Sequence, residues 1–323
     1  LRVDGTDSVR THADIRELRW ERVWDTWELR AGLGKVFWGV TESAHLVDII
    51  NQTDLVESID GEEKLGQPMI NAAFIRDWGT VDVFLLPGFR ERTFPGARGR
   101  LRTEPIVDGD GATYESGARH RHIDAALRWS HSIGAFDVGL SHFYGTTRDP
   151  LFRPQPRGAG SVVLVPHYDL IHQTGLDLQA TYGNWLWKLE TIRRLGQGKP
   201  FVAAAGGFEY TFVGIFDSAA DLGVLAEYLY DERGDTAGQP FEDDVFAGVR
   251  LAFNDAASSD LLAGVIRDMD GSATLFSVEA STRIGERWKL EVEMRLWTGV
   301  RDNDAFVSFQ DDDHVQITLS RFF

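Results

Sequence analysis

The chain contains no cysteine among its 323 residues. That excludes a disulfide framework and any thiolate-held zinc or iron–sulfur centre. Cations are scarce as well: 33 Lys and Arg stand against 50 Asp and Glu, for a net charge of −17. So acidic a chain is a poor nucleic-acid binder, because phosphate contacts need clustered cations. No run of about 18 apolar residues occurs, so no helix can span a membrane. Leu1-Arg2-Val3-Asp4 lacks the basic start and apolar stretch of a signal peptide, as a mature exported chain or a truncated one would. The hydrophobic fraction of 43% and the mean hydropathy of −0.23 would, taken alone, suit a soluble globular protein.

The order of the residues says otherwise. From residue 119 onward, segments of about ten residues alternate apolar and polar and end in a turn, which gives a strand two unlike faces. In Trp288–Leu296, Trp288, Leu290, Val292, Met294 and Leu296 share one phase, and Lys289, Glu291, Glu293 and Arg295 the other. Leu222, Val224, Ala226, Tyr228 and Tyr230 likewise oppose Gly223 and Glu227, and Ile123, Ala125, Leu127 and Trp129 oppose Asp124 and Arg128. A soluble β-sandwich also alternates. Three features favour an antiparallel transmembrane β-barrel: strands of about ten residues rather than the usual five or six, connectors that alternate short and long, and whole charges on the polar phase. Tryptophans 20, 24, 27, 78, 129, 185, 187, 288 and 297 fall near strand ends, as in an interfacial aromatic girdle.

Counting back from Phe323 predicts strands near 314–323, 287–298, 273–283, 261–268, 244–254, 221–231, 202–212, 185–193, 172–182, 134–143, 119–131, 81–90, 69–77, 27–37 and 14–23. That makes fifteen. Single-chain bacterial barrels are even-numbered, so about sixteen strands (range 14–16) are expected. Either one strand is split or merged in this count, or one more ascending strand precedes the sequence, with Leu1-Arg2-Val3 as its tail; the second reading is favoured. Residues 91–118 and 144–170 read as long external loops. The segment 38–68 carries Leu46, Val47, Ile49, Ile50, Leu55 and Val56. It is expected either to fold into the barrel mouth, partly helical, and narrow it, or to pack over the outer rim.

His314–Phe323 alternates up to Arg321 and ends on an aromatic residue. It resembles the C-terminal strand of Gram-negative outer-membrane proteins, whose terminal aromatic is read by the barrel-assembly machinery. Arg321 departs from that pattern. The stretches Gly34–Ser43 (GKVFWGVTES), Leu46–Asp54 (LVDIINQTD), Lys64–Pro68 (KLGQP), Leu85–Arg92 (LLPGFRER) and Trp185–Glu190 (WLWKLE) resemble a family of porin-like Gram-negative outer-membrane β-barrels. The resemblance covers most of the chain. It implies the fold and an outer-membrane location, among lipid and lipopolysaccharide. It carries no substrate and no catalytic residue.

Strand phase predicts that Arg30, Asp124, Arg128, Asp177, Lys188, Glu190, Glu209, Glu227, Arg250, Glu279, Glu291, Glu293 and Arg295 line a polar lumen. A charge on the lipid face would cost about 2–4 kcal/mol for Arg or Lys near the midplane. Arg90, Arg92, Arg98, Arg100 and Arg102 cluster in one segment. They suit an anion entrance, contacts to lipid phosphate, or pairing with acidic loops. Those acidic stretches are Asp108–Gly111, Asp268–Gly271, Asp302–Asp304 and Asp311–Asp313. None completes a calcium loop with a distal glutamate, so solvated turns are the simpler reading. The histidines, including His120, His122, His142, His167 and His172, do not form a convincing metal site. Ser141 and His142 are adjacent, but neighbours in a strand point oppositely, and no nucleophile elbow occurs. No cofactor, metal or enzymatic activity is expected. The leading expectation is a channel for small polar solutes. The alternatives are a plugged barrel that binds or scaffolds and, more remotely, a lipid hydrolase.

Overall fold

The computed structural model describes all residues except 59–60, 159, 235–236, 238–241, 302–303 and 305. Fifteen of its strands form one sheet, in the order β1 (Leu18–Val23), β2 (Trp27–Gly34), β3 (Gln67–Arg76), β4 (Gly79–Pro87), β6 (Ile123–Ile133), β7 (Phe136–Thr146), β10 (Leu170–Tyr182), β11 (Trp185–Leu195), β12 (Phe201–Phe212), β13 (Asp221–Asp231), β14 (Asp243–Ala252), β15 (Asp260–Asp268), β16 (Thr274–Ile284), β17 (Trp288–Thr298) and β18 (His314–Arg321). Each lies where hydropathy alternation predicts a strand. Chain order is sheet order apart from the strands of a second, small sheet, so neighbours are joined by hairpins.

That small sheet corrects the expectation for the long connectors and raises the total to eighteen strands among the described residues. The segments read as loops 91–118 and 144–170 contain β5 (Thr113–Tyr114), β8 (Leu151–Arg157) and β9 (Ser161–Tyr168). β9 pairs antiparallel with β8 and parallel with β5. The pattern hid β8 because Pro154 and Pro156 read as loop signals, yet proline is tolerated on an edge strand. Tyr168 anchors the layer. It is buried, and its ring lies 4.9 Å from Phe89 and 5.5 Å from Tyr114.

Other expectations need correction. The described residues of 38–68 form turns, bends and isolated bridges, with no helix. Asp48, Asn51 and Asp54 spend their side chains on backbone amides or carbonyls there, which competes with helical pairing. Leu1–Val3 joins no strand of the large sheet; Arg2 instead forms an isolated bridge with His12. Trp297 is not a girdle residue. It lies on the polar phase of β17, is buried, and stacks near His314. Asp302 and Asn303 lie outside the described residues.

The chain divides into two compact units. The first holds Leu1–Gly39, Leu46–Asp177 and Thr191–Val202; the second holds Val40–His45, Leu178–Glu190 and Ala203–Phe323. In both, alternation becomes burial. Along β6, Ile123 is 55% and Leu127 50% exposed, whereas Asp124 is fully buried. Register keeps the phases matched: Val83 faces Leu127 and Asp82 faces Arg128, while Val224 faces Val249 and Gly223 faces Arg250. A sheet whose apolar face is exposed and whose charged face is buried inverts the usual soluble arrangement. It has the lipid-facing alternation of a membrane barrel.

Candidate functional site

In the first unit, the polar face is covered by residues 46–56, of which Val47, Ile49, Ile50 and Val56 are buried. Arg148, just beyond β7, holds this cover. Its guanidinium donates to the Ile50 carbonyl from Nε (3.2 Å) and Nη2 (2.9 Å), and to Asp124 Oδ2 (2.8 Å). Asp124 Oδ1 also accepts from the Thr146 amide at 2.9 Å and lies 2.7 Å from His122 Nδ1. Gln173 donates to the Leu46 carbonyl at 3.2 Å. Nearby, Arg128 and Asp177 form a fork with both N···O distances at 2.7 Å, and the Arg128 guanidinium lies 5.2 Å from the centre of the Trp38 ring. Two glycines make room. A Cβ on Gly139 would sit 2.2 Å from Arg128 Nη2, and one on Gly175 would sit 3.0 Å from Val47.

The second unit binds residues 40–43 by a different device. Glu190 Oε1 accepts from the amides of Val40 (2.7 Å) and Thr41 (3.0 Å) and from the Thr41 hydroxyl (2.8 Å). Glu227 accepts from the amides of Glu42 and Ser43, each at 2.8 Å at closest, and from the Ser43 hydroxyl at 2.6 Å. Both carboxylates are almost wholly buried. Hydrogen bonds to ionised carboxylates are about twice as strong as neutral ones, so this is a firm grip on a short peptide. Around it, Arg250 Nη2 lies 2.6 Å from Glu42, and Lys188 Nζ 3.5 Å from Glu42. Glu209 completes the group, 3.5 Å from Arg250 and 4.0 Å from Lys188.

Five of the residues predicted from phase, Lys188, Glu190, Glu209, Glu227 and Arg250, thus converge on residues 40–43. Three more, Asp124, Arg128 and Asp177, gather by Trp38 and residues 46–50. Others pair elsewhere. Arg295 bonds Glu279 at 2.6 Å and lies 3.4 Å from Glu293, while Glu291 takes Lys289 at 2.7 Å. Arg30 bonds Glu21 at 3.0 Å and also Glu28.

The arginine cluster divides. Arg90 bonds Asp14 at 3.0 Å, Arg92 bonds Asp149 at 2.6 Å and Arg102 bonds Glu104 at 2.7 Å, while Arg98 and Arg100 are exposed. Arg194 also reaches Asp149, at 3.0 Å. Burial opposes ionisation of Asp149, but Arg194 and Arg92 outweigh it and hold the carboxyl below the usual range. Two carboxylates of the acidic stretches cap turns, Asp268 accepting from the Gly271 amide and Asp304 from Phe306, while Asp313 accepts from the Trp297 amide on β17. Ser141 is buried and His142 exposed, on opposite faces of β7.

His12, Asp54 and Glu57 bring ligand atoms within 4.8 Å of one another. Arg2 and Arg16 already neutralise the two carboxylates, Arg16 Nη2 lying 2.5 Å from Asp54. Sequence reasoning missed this group, Arg148, Glu42 and Asp149. One signal was available for the covers held by Arg148 and by Glu190 and Glu227: Phe84, Leu86, Phe143, Leu225 and Leu229 lie on the polar phase and are buried. An open aqueous lumen would not require such residues.

A long meander of antiparallel strands, with one face apolar and exposed and the other charged and buried, is the strand pattern of a membrane β-barrel. No protein-family model matches the chain, and no curated protein matches it in sequence. Among solved structures it is similar to Wzi, an outer-membrane protein involved in group 1 capsule assembly in Escherichia coli and described as a carbohydrate binding β-barrel. The TM-score is 0.51 at 9% identity, over 93% of this chain and 67% of Wzi. The likeness shows the fold, and that fold is consistent with the bacterial outer membrane.

Proposed function

We propose that this chain is a closed, plugged outer-membrane barrel that binds carbohydrate, rather than an open channel. The clamp of Glu190 and Glu227 on residues 40–43 carries this reading. Two buried wall carboxylates spend their hydrogen-bonding capacity on backbone amides of an inserted segment, an investment an open pore has no use for. Apolar side chains on the polar phase, covered by residues 46–56, support it. Wzi, with its carbohydrate-binding barrel, supplies the ligand class. In this reading the fifteen-stranded sheet closes on itself, its exposed apolar face meets lipid and lipopolysaccharide, and Phe323 addresses the barrel-assembly machinery. No catalysis is involved.

Purified protein in a planar bilayer is expected to be electrically silent, and an oligosaccharide-binding screen is expected to register hits. Stable conductance steps from the unmodified protein would return the reading to the passive channel of small solutes.

A further inference from the structure

The first unit contains a cavity of about 240 Å³ whose lining runs against the composition of the chain. Arg19, Arg30, Lys35 and Arg128 all border it, with Asp82 the one carboxylate of the lining among the described residues. The chain as a whole has 33 cations to 50 acids. Trp38 and Phe84 supply an aromatic wall, their rings 5.6 Å apart and edge to face.

The four cations are not equally committed. Both terminal nitrogens of Arg128 are held by Asp177. Arg30 is spent on Glu21, Glu28 and Asn71. Lys35 and Arg19 are different. The Lys35 ammonium pairs with Glu63 at 3.7 Å and Arg19 with Glu21 at 3.7 Å, both beyond hydrogen-bond length. Two under-used donors therefore border a cavity beside an aromatic wall. We propose that this cavity is a subsite for one carboxylate-bearing sugar ring, a uronic acid, with the carboxylate on Lys35 and Arg19 and the apolar face of the ring against Trp38. Sites for drug-sized ligands run to about 300–1,000 Å³, so this smaller one is matched to a single ring. The inference rests on the carbohydrate-binding reading above and adds the charge of the ligand and its place.

The test uses the full chain in detergent and isothermal titration with three probes: a glucuronate oligosaccharide, a neutral glucose oligosaccharide of equal length, and inorganic phosphate. The uronate is expected to bind at least tenfold more tightly than the neutral sugar, and phosphate more weakly than either. Lys35→Gln and Arg19→Gln, each checked for folding by heat-modifiable gel mobility, should reduce that preference to within twofold. Arg157→Gln, on β8 of the small sheet and outside the cavity lining, should leave it intact. Equal affinity for the two sugars overturns the proposal but leaves carbohydrate binding standing. Phosphate binding as tight as uronate reduces the cavity to a simple anion site. Preference retained in both folded variants overturns the location, and no binding of either sugar overturns both readings.

Discussion

The Arg128–Asp177 fork and the Lys289–Glu291 pair are made from the same kinds of residue, on the same phase of strands of the same sheet. In the first unit, Arg128 and Asp177 are nearly sealed, with side chains 13% and 6% exposed. In the second, Lys289 and Glu291 stand 33% and 42% exposed. Period-2 alternation assigns both pairs to the polar face and cannot separate them. What separates them is what lies on top. Trp38 and residues 46–50 gather over the first, and a charge under such a cover cannot be left alone, because desolvation must be offset by its partner. The second keeps water as an alternative partner.

The most direct way to break this contrast is Arg148→Ala. It would leave Asp124 buried without its cation and free the Ile50 carbonyl. Removing one partner of a buried pair costs about 3–5 kcal/mol. The folded form, followed by heat-modifiable mobility, should melt far below the wild type. A loss no larger than that of an exposed pair would show that residues 46–56 do not seal this face.

Glu227→Ala sharpens the comparison within the second unit. It removes the acceptor of the Glu42 and Ser43 amides and of the Ser43 hydroxyl. Hydrogen bonds to charged groups contribute about 1.5–3 kcal/mol each, but the freed amides can find water once the segment lifts, so a net loss near the low end is expected. In the bilayer, the variant should show intermittent conductance where the wild type is silent. Continued silence would mean that the barrel is closed by something other than residues 40–43.

The strands were legible because a two-sided sheet writes its period into hydropathy, although Leu225 and Leu229 on β13 and the apolar run of β15 interrupt it. Glu190 and Glu227 were legible as polar-face residues for the same reason. Their role was not, since their partners are the amides of residues 40–43, 149 to 185 positions away, and backbone donors leave no mark in a side-chain pattern. Arg148 lies just past the end of β7, where alternation stops. β8 was hidden by its prolines. Arg321, which departs from the terminal-strand pattern, has a local explanation: its guanidinium lies 5.3 Å from the Trp288 ring and 5.1 Å from Phe323. There the cation–π attraction replaces an apolar contact.

A smaller effect is expected at Asp149, clipped between Arg92 and Arg194 outside the large sheet. Its folded pKa lies below the ordinary value of 3.8. A depressed carboxyl contributes stability that is fully present above its unfolded pKa and is lost as pH falls through the folded one. The stability gap between wild type and Asp149→Asn should therefore stay level from neutral pH down to about 5, then narrow below the usual carboxylate range. A gap that closes near pH 6 would place the dependence on a histidine instead.

The smallest effect belongs to Lys289→Ala, and it decides whether the opening contrast is real. Lys289 and Glu291 are two residues apart on β17, on the same phase, with N···O at 2.7 Å. Holding two long side chains in one geometry costs rotamer entropy, and water competes for both ends. Exposed pairs measured singly contribute about 0.2–1 kcal/mol. The variant should melt within a few degrees of wild type, and the difference should shrink further as salt is raised, since screening acts on exposed charges first. Arg148→Ala, its charge sealed under residues 46–56, should be nearly insensitive to the same salt series. If the two variants respond alike to salt, burial under the cover is not what distinguishes the two regions.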